Sequence, residues 1–191
     1  MLKLKEIFIE KAGLEEVYYN EFFKLLKEVK LKKREYLLRE NSVCKFMGFV
    51  VEGSLRSYIQ KDGDEFNVEF YLPNYFISAY TSFITQTPAN GNIQALENTS
   101  IYTISHTDFQ NLLNKSTGWY KLGKFISDEL FIRKCKRQTS LLMDQAADRY
   151  QLLLETYPKI EQHVSQYHIA SYLGIRPESL SRIKSLTYIN D

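Results

Sequence analysis

Ser165-Gln-Tyr-His-Ile-Ala-Ser-Tyr-Leu-Gly-Ile-Arg-Pro-Glu-Ser-Leu-Ser-Arg-Ile183 reads as two short helices joined by a tight turn at Gly174. Ser165 is placed to cap the first helix, because its hydroxyl can accept a backbone N–H that would otherwise be unpaired. Ala170 stands four residues before the glycine, and a small side chain there lets a second helix cross closely. Gly174 supplies the left-handed turn. Leu180 and Ile183 then point inward together at helical spacing. Pro177 suits the first turn of the second helix, where its missing N–H costs nothing. Glu178, Ser181, Arg182 and Ser185 are left on the outer face. This is the anatomy of a DNA-binding helix-turn-helix, with a polar helix shaped for a major groove.

Working outward, 191 residues leave room for a large domain plus a small module, and 14 Tyr with 12 Phe can fill a substantial core. Formal charge is +2, and the stretch from Lys159 to Asp191 carries four Lys/Arg against three Asp/Glu. No strong basic field advertises nucleic acid, so the motif rather than composition carries that expectation. Cys44 and Cys135 lie far apart, match no metal pattern and point to a reduced, cytoplasmic setting. The N-terminus mixes Lys and Glu with its apolar residues, unlike a signal peptide or a membrane span.

Upstream, a helix is expected from about Leu14 to Glu28, with Val17, Phe22, Leu25, Leu26 and Val29 on a loose apolar stripe. Short strand-like runs follow at Glu35–Leu38, Phe46–Val51, Ser54–Gln60, Phe66–Leu72, Ile93–Ala95 and Ser100–Ile104. Their spacing suggests a sandwich or barrel, with Asp62-Gly63 as the sharpest hairpin signal. Thr107 or Asp108 could cap a short helix through Leu113. A long helix from about Gly118 to Met143 carries Trp119, Leu122, Phe125, Ile126, Leu130 and Ile132. It would suit one face on the barrel and one on a second subunit, with Trp119, Leu122, Ile126 and Leu130 packing across a two-fold axis; the alternative is a helix packed only on its own domain. A further helix, Gln145–Thr156, ends before Pro158.

With Val51-Glu-Gly-Ser-Leu-Arg56, Asp62-Gly63, Ile93-Gln-Ala-Leu-Glu97, Arg149-Tyr150 and Ile169 to Ile183 in place, the chain resembles the Crp/Fnr (cyclic-AMP receptor protein) family of transcription regulators. The resemblance implies an α+β fold. Residues 1–115 would form an N-terminal β-roll (a double-stranded β-helix of the cyclic-nucleotide-binding kind), 116–143 a central dimerisation helix, and 144–191 a helix-turn-helix domain.

Three departures from the family bear on function. Cyclic-nucleotide members carry a Gly-Glu and, further on, an Arg with a small hydroxyl residue to hold ribose and phosphate. Here those places read Ser78-Ala79 and Ala89, and no Lys or Arg occurs between Lys61 and Lys115. A cyclic phosphate would lack its main counter-charge from this loop, which argues against cyclic AMP. An uncharged or aromatic effector could instead meet Tyr71, Phe76, Ser78, Ala79, Tyr80, Ser82 and Asn90; the alternative, which has the greater weight, is that the aromatics simply fill the barrel. Second, Arg176 stands where relatives place a capping Ser or Thr, forgoing roughly 1 kcal/mol of capping. Third, only Lys184 to Asp191 follow Ile183, so a shortened wing is expected.

Two isolated cysteines cannot hold an iron–sulfur cluster, and His106 alone before His163 offers little to haem, so no cofactor is expected. An enzyme of the metal-dependent barrel kind would want two or more histidines beside a carboxylate. The sequence therefore points to a homodimeric regulator of double-stranded DNA, with an unknown small-molecule effector, RNA polymerase as a further partner, and no membrane contact. Glu178 and Arg182 would reach base edges, while Ser165, Gln166, Tyr167, Arg176, Ser179 and Ser181 would position the phosphate backbone. The alternative is a ligand-binding or interaction protein that no longer binds DNA specifically.

Overall fold

The computed structural model describes residues 2–187. Its centre is a β-roll of two four-stranded antiparallel sheets. The strands are β1 (Lys27–Leu31), β2 (Tyr36–Leu38), β3 (Phe46–Glu52), β4 (Leu55–Lys61), β5 (Asp64–Tyr71), β6 (Phe76–Ile77), β7 (Asn92–Ala95) and β8 (Thr99–Ser105). One sheet runs β1-β8-β3-β6 and the other β2-β7-β4-β5. Asp62 and Gly63 form the two-residue turn between β4 and β5, both at positive φ (54° and 88°), which matches the twist of the strands they join. Gly53 is required as glycine: its φ is +82°, and a Cβ there would stand 2.5 Å from the carbonyl oxygen of Asn98.

The helices are α1 (Leu2–Glu6), running into a π-helical turn at Ile7–Lys11, then α2 (Glu16–Leu25), α3 (Tyr80–Thr85), α4 (His106–Lys115), α5 (Trp119–Met143), α6 (Ala146–Thr156), α7 (Ile160–His163), α8 (Gln166–Leu173) and α9 (Pro177–Thr187). The result is the expected mixed fold: a β-roll, a long helix and a C-terminal helical module.

Several sequence expectations need correction. The helix read over 14–28 stops at Leu25, because Leu26 is extended and β1 begins at Lys27. Pairing of Val29 with Ile101 across the sheet outweighs the local helical phase. The N-terminal helix was not anticipated; it buries Leu4, Ile7 and Phe8 in the main core. Ser105, not Thr107 or Asp108, caps α4, its hydroxyl accepting from the backbone N of Asp108 at 3.0 Å. Trp119, Leu122, Ile126 and Leu130 do not face a second subunit: they are at most 7 % exposed and belong to the chain's own core.

A second apolar cluster lies on the outside of β5. Phe70 and Leu72 of the roll join Tyr150, Leu153, Tyr157, Ile160, Ile169, Tyr172, Leu173 and Leu180 of the helical module. Their neighbour Tyr71 points the other way, into the main core. Both faces of this end of β5 are therefore covered. Between the pairs Ser57–Glu69 and Tyr58–Asn67 the register slips by one, leaving Val68 as a bulged extra residue in β5.

Candidate nucleic-acid interface and sensor cavity

The helix-turn-helix forms as its residue types require. Ser165 caps α8 by accepting from the backbone N of His168. Gly174 takes φ +67° and donates back to the carbonyls of Ala170 and Ser171. Pro177 opens α9. Ile169, Ala170, Leu173 and Leu180 are buried, which seats α9 across α8. Ser165, Gln166, Tyr167, Arg176, Glu178, Ser179, Ser181 and Arg182 are all exposed. Glu178 and Arg182 make no ion pair with each other, so both heads face solvent. Lys184 to Thr187 continue α9 as helix. The expected shortened wing otherwise concerns residues 188–191, outside the described residues.

Opposite this exposed face, α8 lies against β5 through a polar network missed by sequence reasoning. Arg56 of β4 is 4 % exposed and pairs with Glu65 at 2.6 Å. Its guanidinium also donates to Gln94 at 2.9 Å and lies 3.2 Å from Nδ1 of His168. A guanidinium can only donate, so Nδ1 accepts and the ring is neutral with its proton on Nε2. Burial, and then the Arg56 charge, lower the His168 pKa to about 4. At the bulge, the backbone N of Asn67 donates to Ser171 Oγ (3.0 Å), and Ser171 Oγ donates to the carbonyl of Glu65 (2.9 Å). Arg137 of α5 donates to the carbonyls of both Asn67 and Tyr172, each at 3.0 Å. One guanidinium thus ties the roll to the C-terminal helical module.

Between the roll and α5 lies a cavity of about 820 Å³, within the range of small-molecule sites. Tyr71, Ser78, Ala79, Tyr80, Ser82 and Asn90 line it. Phe76 does not: its ring packs between Phe49 and Phe125 instead. The two serine hydroxyls are committed locally, Ser78 donating to the carbonyl of Phe46 and Ser82 to that of Thr87. The cations absent from the loop enter from the helix, as Arg133, Lys134 and Arg137 line the same cavity. Arg133 pairs with Glu69 at 2.6 Å, and Glu69 also accepts from the Tyr71 hydroxyl. Tyr157 and Tyr172 of the helical module complete the wall. The signal for the two arginines was present: Arg133 and Arg137 continue the buried stripe 119-122-126-130 in phase.

Among the described residues no group of three or more His, Cys, Asp or Glu could hold a metal ion. No helix of the described chain is long and apolar enough to cross a membrane.

Residues 28–116 match the cyclic nucleotide-binding domain family. No curated protein matches the chain by sequence. Solved structures share its fold along most of its length. The c-di-GMP responsive global regulator CLP of Xanthomonas campestris is 16 % identical with a TM-score of 0.70, the match covering 92 % of this chain and 93 % of that one. FixK2 of Bradyrhizobium japonicum is 21 % identical with a TM-score of 0.72, covering 86 % and 85 %. The catabolite activator protein of Thermus thermophilus is 15 % identical with a TM-score of 0.58, covering 96 % and 87 %.

Proposed function

We propose, for a chain with the Crp/Fnr architecture and a cyclic nucleotide-binding domain at 28–116, a DNA-binding transcription regulator that responds to an effector other than cyclic AMP. The observation that carries this is the division of α9: Leu180 is fully buried, while Glu178, Ser179, Ser181 and Arg182 face solvent with nothing of their own chain upon them. Arg182 suits a bidentate pair with guanine and Glu178 a cytosine amine. Ser165, Gln166, Tyr167 and Arg176 then hold phosphates.

Such a regulator acts as a homodimer, because two recognition helices must sit about 34 Å apart on one face of the duplex. The surface available is the outer side of α5. Phe131, Cys135, Gln138 and Leu142 recur there at i, i+4, i+7 and i+11, and Phe131 (68 %), Leu142 (77 %) and Met143 (78 %) are strongly exposed. Cys135 is exposed and Cys44 buried, so mild oxidation should give a disulfide-linked dimer through Cys135 alone.

Binding to a selected operator at several salt concentrations tests the reading. Arg182→Ala should cost about 1–3 kcal/mol and relax preference at one base pair per half-site. Arg176→Ser should weaken all sequences alike and reduce the salt slope by about one. Salt-independent or absent DNA retention would favour the interaction-protein alternative, which the small +2 formal charge keeps in view.

A further inference from the structure

Where α5, α6 and α8 meet, a small, partly open space is lined by Arg133, Arg137, Ser140, Arg149 and Tyr172, with Leu141, Leu153 and Leu173 around them. Three guanidinium groups converge here, and each keeps its charge at any working pH. Only Arg133 has a carboxylate within ion-pair distance, Glu69, among the described residues. Arg137 donates to two carbonyls and Arg149 to the carbonyl of Asp144 at 2.9 Å, and carbonyl dipoles do not neutralise a charge. Four buried polar atoms lack a protein partner at this one place: Arg133 Nη2, Arg137 Nε, Arg149 Nε and Ser140 Oγ. Ser140 is 5 % exposed. Concentrated positive charge and unmet hydrogen-bond capacity in a half-dry site are unfavourable unless an anion answers both.

We propose that this junction is an anion site, and that it takes the phosphate-type oxyanion of a ligand through Arg133, Arg137, Arg149 and the Ser140 hydroxyl. The space as it stands, about 10 Å³, holds about one water. An oxyanion enters when Arg133 and Arg137 swing toward the adjoining 820 Å³ cavity, which they and Tyr172 also line. A ligand with an apolar body can then lie among Tyr71, Tyr80 and Ala89 with its charged end at the arginines. This rests on the effector reading above only for its consequence: drawing Arg137 away from Asn67 and Tyr172 removes a tie between the roll and the DNA module. Occupancy itself does not depend on DNA.

Calorimetry of the full chain in a low-salt zwitterionic buffer, with inorganic phosphate and with phenyl phosphate as probes, tests it. Saturable binding at millimolar concentration or tighter is expected, weakened at least about tenfold by Arg149→Gln and by Ser140→Ala. The exposed-loop variant Lys61→Gln should leave it unchanged. Phenyl phosphate binding about tenfold tighter than phosphate identifies the site as the head of a larger ligand site. Equal affinities identify a free oxyanion. Absence of saturable binding of either probe up to about 20 mM, a weaker affinity than proteins normally use, overturns the proposal and leaves a water at the arginines. So does unchanged affinity in Ser140→Ala, which decides the matter if Arg149→Gln fails to fold. If the anion binds and operator affinity does not change, the anion site stands and the effector reading falls.

Discussion

The seam between the β-roll and the helical module has two unlike halves, both built on β5. At its C-terminal end Phe70 and Leu72 enter a cluster of aliphatic and aromatic side chains, with the Phe70 ring 5.2 Å from that of Tyr172 and 6.0 Å from that of Tyr157. In its N-terminal half, Glu65 and Asn67 enter a polar network with Arg56, His168, Ser171 and Arg137. Apolar burial is non-directional and scales with area, so the first half supplies adhesion. Charge-assisted bonds demand geometry and respond to pH, so the second half supplies position and sensitivity.

The largest effect should come from breaking the adhesive half. Phe70→Ala removes a ring with 0 % exposure and should cost about 3–5 kcal/mol in denaturant unfolding. It should also split one transition into two, as the module loses its hold on the roll. A single transition with little loss would show that the two parts are not joined through this cluster.

Breaking the polar half should cost less. Arg56→Met leaves Glu65, Gln94 and Asn67 without their common partner, and about 2 kcal/mol is expected because Glu65 keeps some access to water. Hydrogen exchange should rise in α8 while α6 and the main core stay protected. Equal loosening of both would erase the distinction between the halves.

The smallest and most specific effect is with pH. Burial, and then the Arg56 charge, hold the His168 pKa down to about 4 against an ordinary 6.5, with Glu65 pulling weakly the other way. Its folded pKa is depressed, so the unfolded chain binds the proton more readily. The packing it contributes is complete above about pH 6.5 and lost as pH falls toward 4. His168→Gln retains an acceptor for Arg56 without the titration, and the difference in stability between the two proteins should vary with pH only in that window. A constant difference would remove His168 from the network's pH response.

These halves were unequally legible in the sequence. The helix-turn-helix was readable because its determinants are local: a cap at Ser165, a left-handed turn at Gly174 and a proline at N1. The hairpin at Asp62-Gly63 was readable for the same reason. β1 was not, since Leu25, Leu26 and Val29 keep a helical phase and only β8, some seventy residues later, draws the chain into a strand. The stripe 119-122-126-130 announced a buried face on α5 but carried no information about which surface would bury it. The cavity's aromatic wall was partly visible in Tyr71 and Tyr80. Its cations lay in phase with that stripe at Arg133 and Arg137, but nothing local told that this part of α5 would border the cavity.

The bulge at Val68 has a consequence for how closely the cavity and the helical module are joined. In an unbroken strand, neighbouring residues look in opposite directions, and Val68 and Glu69 could not both border the cavity. The extra residue makes them share that duty, and it leaves the amide and carbonyl of Asn67 to grip Ser171 and Arg137. The wall of the cavity and the handhold of the helical module are therefore consecutive residues on one thread. A single peptide unit separates the two, with no lever arm in between. Removing Val68 would restore the parity of the strand and shift one of these two attachments out of register, while leaving the exposed face of α9 unchanged.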